Sequence, residues 1–321
     1  MLELGLLLVG IIGLWIGTKL TVDKAVEIAK TFNFSQTFIG LTILAFGTDL
    51  PETIISVNSS IHRYQGMETS GIVLGNAIGS SICQISLIVG LSGLFVAHTI
   101  ERKMMYRDGG VMVVSILALF LVGHDGIISR WESLLLVLAF VAYYYFLTQD
   151  EVAAFHGKQL QIPKIHEKTK TIKLSVLLLA GLVIIIFSSE LAVQSAVKLA
   201  EIWGIKQSFV GIIIIGLGTS LPELSVSIGA ALKKSSGIAV GNIMGSNIYD
   251  TLIPAGVGGL ISPLQVGETL YDQDLPILFV ITLIVLVLFS SKKGLQRKES
   301  IGLIFIYLAY TYWKWSSFAS L

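Results

Sequence analysis

The chain has 321 residues, of which 54% are hydrophobic and 13% charged, with a formal net charge of +1; soluble domains carry roughly 25% charged residues. Its mean hydropathy of +0.81 and its repeated apolar runs, about twenty residues each, exclude a soluble domain, a transmembrane β-barrel and a chain whose only apolar stretch is a signal peptide. The near-neutral charge, with no basic patch interleaved with aromatics, gives no footing for nucleic acid, and the single cysteine, Cys83, excludes an internal disulfide and a Cys-based metal cluster.

Hydropathy predicts an all-α membrane protein with ten transmembrane helices, at roughly 3–20, 36–61, 71–97, 109–123, 131–148, 174–195, 207–232, 237–262, 274–291 and 300–317. After the first span Val22, Val26 and Ala29 alternate at helical spacing with Asp23, Lys24, Glu27 and Lys30, so that helix is expected to run on past the bilayer. The sixth repeats the pattern with Ala192, Ala196, Ala200, Lys198 and Glu201. Cys83, inside the third span, reads as a small packing residue. Positive residues are retained in the cytoplasm. They crowd the connections around Lys24, Arg102 to Arg107, Lys158 to Lys173, Lys233 and Lys292 to Lys298, while the alternate loops hold few and the one after the eighth span carries Glu268, Asp272 and Asp274. Both termini are therefore expected outside a cell membrane, with the 149–173 segment in the cytoplasm. Tyr310, Tyr312, Trp313 and Trp315 suit an interfacial aromatic belt.

The chain repeats itself. At an offset of 171, Ala25, Ala29, Phe38 and Gly40 meet Ala196, Ala200, Phe209 and Gly211, and Gly47-Thr48-Asp49-Leu50-Pro51-Glu52 meets Gly218-Thr219-Ser220-Leu221-Pro222-Glu223. Further on the offset is 166: Gly75-Asn76 and Gly79-Ser80 meet Gly241-Asn242 and Gly245-Ser246. Five extra residues fall near His62 to Thr69. Five spans is an odd number, so the halves, 1–148 and 174–321 with 149–173 as linker, are expected as two inverted five-helix repeats, the plan of secondary transporters with a midplane site.

A charged side chain at a helix centre costs about 2.5 to 3.5 kcal/mol on insertion scales, so acids there face a cavity or a partner. Asp49 and Glu52 lie in the second span, Glu223 in the seventh and Asp250 in the eighth, beside Thr48, Ser80, Ser81, Gln84, Thr219, Ser220, Ser246 and Asn247. Ser80 and Gln84 are four apart on one helix face, as are Ser246 and Asp250. Gly and Pro in the second and seventh spans break helix hydrogen bonds, which is expected to open carbonyls such as those of Ala45, Thr48, Gly216 and Thr219. The result is an all-oxygen cage, the preference of hard cations such as calcium, which takes about six to eight oxygens. Gly75 with Gly79 and Gly241 with Gly245 are expected to serve close helix packing. His62, His98, His124, His156 and His166 fall near span ends or in loops and read as solvated.

With these residues in hand, the chain resembles the cation/calcium antiporter superfamily, in particular the prokaryotic sodium/calcium exchangers, over essentially its whole length. The resemblance implies Glu52 and Glu223 as central calcium ligands, with Thr48, Thr219, Ala45 and Gly216 contributing largely through carbonyls to calcium and sodium sites. It also implies Ser220 as a hydroxyl ligand of an outer sodium site, Ser80 and Ser246 as serines of the neighbouring helices, and Asp250 as the residue completing the middle of the site. Exchange of several sodium ions for one calcium, with net charge movement and a sliding two-helix gate, is the expected activity. Asp49 departs from that pattern, standing where Ser is usual, and Gln84 stands where a shorter Asn is common. Both remain candidate metal-site residues, and Asp49 leaves calcium/proton antiport as the alternative. A channel is the remote alternative, since one chain here builds its own pseudo-symmetric site. An enzyme is not expected: there is no His-Glu-x-x-His or similar signature. The substrates are then Ca2+ and Na+ (or H+), the surroundings the lipid bilayer, and no cofactor or obligate protein partner is implied.

Overall fold

Backbone groups in lipid have no water to bond, so runs of Leu, Ile and Val of this length fold as helices. The computed structural model describes residues 2–96, 98, 102–155, 165–202, 216–291 and 294–319. In chain order the helices are α1 (Leu2–Phe32), α2 (Gln36–Thr48), α3 (Leu50–Tyr64), α4 (Ser70–Gly93), α5 (Arg102–Val122), α6 (Arg130–Phe155), α7 (Ile165–Ile202), α8 (Gly216–Thr219), α9 (Leu221–Leu232), α10 (Ser236–Ile261), α11 (Leu270–Ser290) and α12 (Arg297–Ala319). Among the described residues α1, α4, α5, α6, α7 and α11 are long and apolar enough to cross a membrane, and α2 with α3, bent by 41° at their junction, makes a seventh if the pair is one span. The chain is a multi-pass, all-helical membrane protein.

Helix ends differ from the hydropathy boundaries where polar helix formers carry the chain beyond lipid. α1 continues to Phe32 with Val22, Ala25 and Ala29 buried and Asp23 and Lys30 exposed, the expected amphipathic flank. α6 and α7 both extend into the expected 149–173 linker, to Phe155 and from Ile165, because Gln, Glu, Lys and Ala favour helix once past the apolar run. The first part of the span expected at 207–232, together with Phe209, Gly211 and His156, lies outside the described residues.

The core is built on α10, buried along almost its whole length and packed by α2, α3, α4, α5, α6 and α9. Its contact with α2 is nearly backbone on backbone. A Cβ at Gly245 would sit 2.6 Å from Leu41 O, one at Gly40 2.6 Å from Ile238 O, and one at Gly241 would collide with Thr37 O. This is the small-residue packing expected of Gly241 and Gly245. At Gly75 and Gly79 no described atom comes within 4 Å of such a Cβ. A second close pair is α1 with α7: a Cβ at Gly10 would lie 2.9 Å from Ala192 N, and one at Gly17 3.0 Å from Gly181 O.

Two short pairings tie connections of the first half to connections of the second. After α5, strand β1 (Ile127–Ile128) pairs antiparallel with β2 (Leu264–Gln265), Ile128 opposite Leu264. Before α5, His98 bridges Leu295, whose amide donates to the His98 carbonyl at 2.9 Å. His98 corrects the solvated-loop expectation: it is fully buried, its Nε2 2.8 Å from Ser92 Oγ and its ring edge-on to Phe289. Burial holds its pKa down at about 4, so at neutral pH it packs as an uncharged ring. His62 and His124 are exposed, as expected.

The close approach of α2 and α10 has a measurable consequence. Gly241→Leu should lower the thermal stability of the purified protein by about 1 to 3 kcal/mol, the cost of overpacking against backbone that cannot yield, whereas Gly302→Ala, at an exposed helix position with open space, should leave it unchanged or slightly raised. Fluorescence-detected melting of both variants in detergent checks this.

Candidate cation site

The site grows from two interruptions that share one geometry. Between α2 and α3 the helix is broken at Asp49 (φ −85°, ψ 2°), and between α8 and α9 at Ser220 (φ −92°, ψ 9°). Pro51 and Pro222 follow in the first turn of the new helix, where a missing N–H is tolerated. Asp49-Leu50-Pro51-Glu52 and Ser220-Leu221-Pro222-Glu223 would ordinarily read as capping boxes, with the first side chain bonded to the amide three residues on. Neither makes that bond. Both oxygens of Asp49 and the hydroxyl of Ser220 are left without partners, as are both oxygens of Glu52 and Glu223.

Glu52 and Glu223 each sit in the first turn of their helix, where the positive end of the backbone dipole favours an anion. The breaks aim them at each other. Asp49, Glu52 and Glu223 each offer a carboxylate oxygen within 4.8 Å of the other two, and all three are fully buried. Two like charges at that distance repel by about 3.5 kcal/mol at an effective dielectric of 20, and desolvation adds several kcal/mol per ion. Burial alone is not what distinguishes these acids. Asp108, equally buried, receives Arg107 Nε at 2.8 Å and Tyr143 OH at 3.0 Å, and Asp274 is held by Lys314 at 2.6 Å. Among the described residues no Lys or Arg pairs with Asp49, Glu52 or Glu223. A carboxyl-lined, oxygen-only cluster of this kind is matched by a hard cation.

Ser80 and Ser81 on α4 and Ser246 on α10 are buried with unpartnered hydroxyls. Thr48 is turned back on its own helix, its Oγ1 donating to Leu44 O at 3.1 Å and Ala45 O at 3.3 Å. Thr219 is half-buried and closes α8; Gly216 opens it. The Ala45 carbonyl departs from expectation. It also accepts the Asp49 amide at 3.0 Å, so it is engaged twice rather than opened. A proline deprives the carbonyl four residues back, which is that of Gly47 for Pro51 and Gly218 for Pro222. Gly218 O accepts Ser189 Oγ at 3.2 Å. Ser189 had no motif to announce it; its only signal is a hydroxyl in an apolar run.

Asp250, also fully buried, does not join the three-acid cluster. Its Oδ2 accepts Gln84 Nε2 at 2.8 Å, while Oδ1 has no partner. Gln84 begins a π-turn, Gln84–Ile88, within α4, and such turns cluster at functional sites. The equivalent point of α10 carries Pro254 inside the helix. Beside the broken helices lies a cavity of about 590 Å³, lined by Pro51, Gly218, Thr219 and Pro222 at one side and by α7 from Ile186 to Lys198 at the other, a stretch of about 18 Å at 1.5 Å per residue.

A family model described as sodium/calcium exchanger protein matches residues 2–149 and 173–316. The chain is 31% identical to the sodium/calcium exchanger MaX1 of Methanosarcina acetivorans, over 95% of this chain and 96% of that one, and 29% identical to the inner membrane protein YrbG of Escherichia coli, over 98% of each. A solved structure of the sodium-calcium exchanger NCX_Mj aligns with a TM-score of 0.82 at 30% identity, covering 96% of this chain and 97% of that one.

Loss of either motif glutamate removes one of the three clustered carboxylates. Glu52→Gln and Glu223→Gln are each expected to give no calcium-dependent heat in titration calorimetry of folded, monodisperse protein, where the parent chain gives a saturable signal; wild-type-like binding by either variant would place the site elsewhere.

Proposed function

Because the chain belongs to the sodium/calcium exchanger protein family, we propose that it exchanges Ca2+ for Na+ across the membrane by alternating access, with the ions bound between the two helix breaks. The observation that carries this reading is the cluster of Asp49, Glu52 and Glu223, fully buried, mutually close and without partners. Such a group is stable only when a cation or protons neutralise it. Glu52 and Glu223 act as the central calcium ligands, one from each break, with Asp250 Oδ1 and the hydroxyls of Ser80, Ser220 and Ser246 completing the oxygen set around them. Thr48, Thr219 and Gly216 line the same breaks and contribute carbonyl oxygens, whereas the Ala45 carbonyl is already taken by Asp49 N and Thr48 Oγ1.

The ten-helix, inverted arrangement belongs to this proposal. The two bridges support it: Ile128–Leu264 and His98–Leu295 flank α5 at its two ends, about 31 Å apart along a helix of 21 residues, and at offsets of 166 and 167 they are each other's counterparts. One pairing repeated at opposite ends of a spanning helix is what an inversion in the membrane generates. In the same reading both termini face outward, and the cavity along the C-terminal part of α7 is the outward route to the site. The α1–α7 pair, joined backbone to backbone through Gly10, Gly17 and Gly181, moves as one unit past the broken helices to close that route and open the opposite one.

Calcium/proton antiport is the second reading, and one residue favours it. Asp49 adds a third carboxylate where its counterpart is Ser220, and neighbouring carboxylates readily share protons. Flux decides the matter. In vesicles loaded with the purified chain, an imposed sodium gradient is expected to drive calcium uptake and a proton gradient of equal size is not; uptake indifferent to sodium would contradict sodium coupling. Asp49→Ser should keep calcium uptake and leave no residual response to the proton gradient.

A further inference from the structure

We propose that Gln84 is a positioning residue: it holds Asp250 as a one-oxygen ligand of the transported cation and does not touch the cation itself. The inference rests on the cation-exchange reading above, and it assigns to Gln84 a task different from the metal-ligand role its place in the sequence suggests.

Gln84 and Asp250 occupy counterpart positions, 166 residues apart, each four residues after a counterpart serine, Ser80 and Ser246. Both are fully buried, and they are bonded to each other. A primary amide has one acceptor oxygen and one donor nitrogen, and a carboxylate can only accept, so facing Asp250 fixes which way the Gln84 amide points. Its Nε2 donates to Asp250 Oδ2 at 2.8 Å, and its Oε1 accepts Asn247 Nδ2 at 3.0 Å. Asn247 Nδ2 is also 3.2 Å from the carbonyl of Ser81, its own counterpart at the same offset. The two helices α4 and α10 are thus laced by bonds between matching positions, and the Gln84 amide is oriented from both of its ends.

Two chemical consequences follow. The oxygen through which Gln84 could bind a cation already faces an N–H donor, whose positive end repels a cation at the same place. Asp250, in turn, is left with a single open oxygen, Oδ1, fully buried and unpartnered. Residues that orient a ligand in this way typically control metal affinity by 10- to 100-fold without contacting the metal. Side-chain length is part of the device. Asparagine at position 84 would be shorter by one C–C bond, about 1.5 Å, opening the 2.8 Å contact to roughly 4 Å, beyond hydrogen-bond range.

A double-mutant cycle on the full chain, read as the Kd for Ca2+ by calorimetric titration of monodisperse protein, tests the assignment. Gln84→Met, close in volume and without a donor, should weaken Ca2+ binding about 10-fold. Asp250→Ala should weaken it at least as much, and the double variant should match Asp250→Ala alone, because a residue acting only through Asp250 has nothing left to act on. A double variant weaker than Asp250→Ala by the full Gln84→Met factor would make Gln84 a ligand in its own right and overturn the proposal, as would Gln84→Met with unchanged Kd. An unchanged Kd in Asp250→Ala would take Asp250 out of the site and overturn the proposal as well, while a parent chain that gives no saturable Ca2+ signal at all would sink the cation-site reading beneath it. Should Gln84→Met not yield monodisperse protein, Gln84→Asn, which keeps the amide but falls short of Asp250, completes the same cycle with the same expected outcome.

Discussion

Everything in this molecule turns on charge that has no countercharge. Three carboxylates stand within 4.8 Å of one another in the protein interior, against a repulsion of about 3.5 kcal/mol per pair and a desolvation cost of several kcal/mol per ion. Another buried acid is satisfied: Asp108 has Arg107 and Tyr143. At the breaks the chain withholds such partners, even the capping bonds that Asp49 and Ser220 could make with their own backbones. The missing interactions are ones that a cation supplies.

The backbone makes this possible by giving up regular helix at matching places. Breaks at Asp49 and Ser220 put Glu52 and Glu223 at helix starts whose carboxylates come within 4.8 Å of each other, while the glycines of α2 and α10 let those two helices approach nearly backbone to backbone. The halves are not identical. An acid at one break has a hydroxyl as its counterpart at the other, and an amide on α4 is bonded to its acid counterpart on α10. A π-turn in α4 is matched by a proline in α10.

Much of this was legible in the residues themselves. Apolar runs of membrane length, the duplicated Gly-Thr-x-Leu-Pro-Glu and Gly-Asn-x-x-Gly-Ser stretches and the acids inside them pointed to helices, to a repeat and to Glu52, Glu223 and Asp49, because insertion cost makes an intramembrane acid informative on its own. What stayed hidden depends on direction rather than identity. Composition does not say that the Ala45 carbonyl is taken by Asp49 N and Thr48 Oγ1, that Ser189 serves the Gly218 carbonyl, or that Gln84 spends its amide on Asp250 and Asn247. His98 misled for a related reason: a histidine between spans is usually wet, and only the bridge to Leu295 and the contact with Phe289 pull this one inside. Helix ends at Phe155 and Ile165 escaped hydropathy because that signal reports lipid, not hydrogen bonding, whereas amphipathic spacing after the first span announced the extension to Phe32.

The most direct test of the central claim is diffraction from crystals of the chain equilibrated with Ca2+. A single strong density peak is expected between the two breaks, about 2.3 to 2.6 Å from carboxylate oxygens of both Glu52 and Glu223, the range of calcium–oxygen bonds. Saturating Ca2+ that leaves this position without density, or that orders at a different set of residues, would contradict the account.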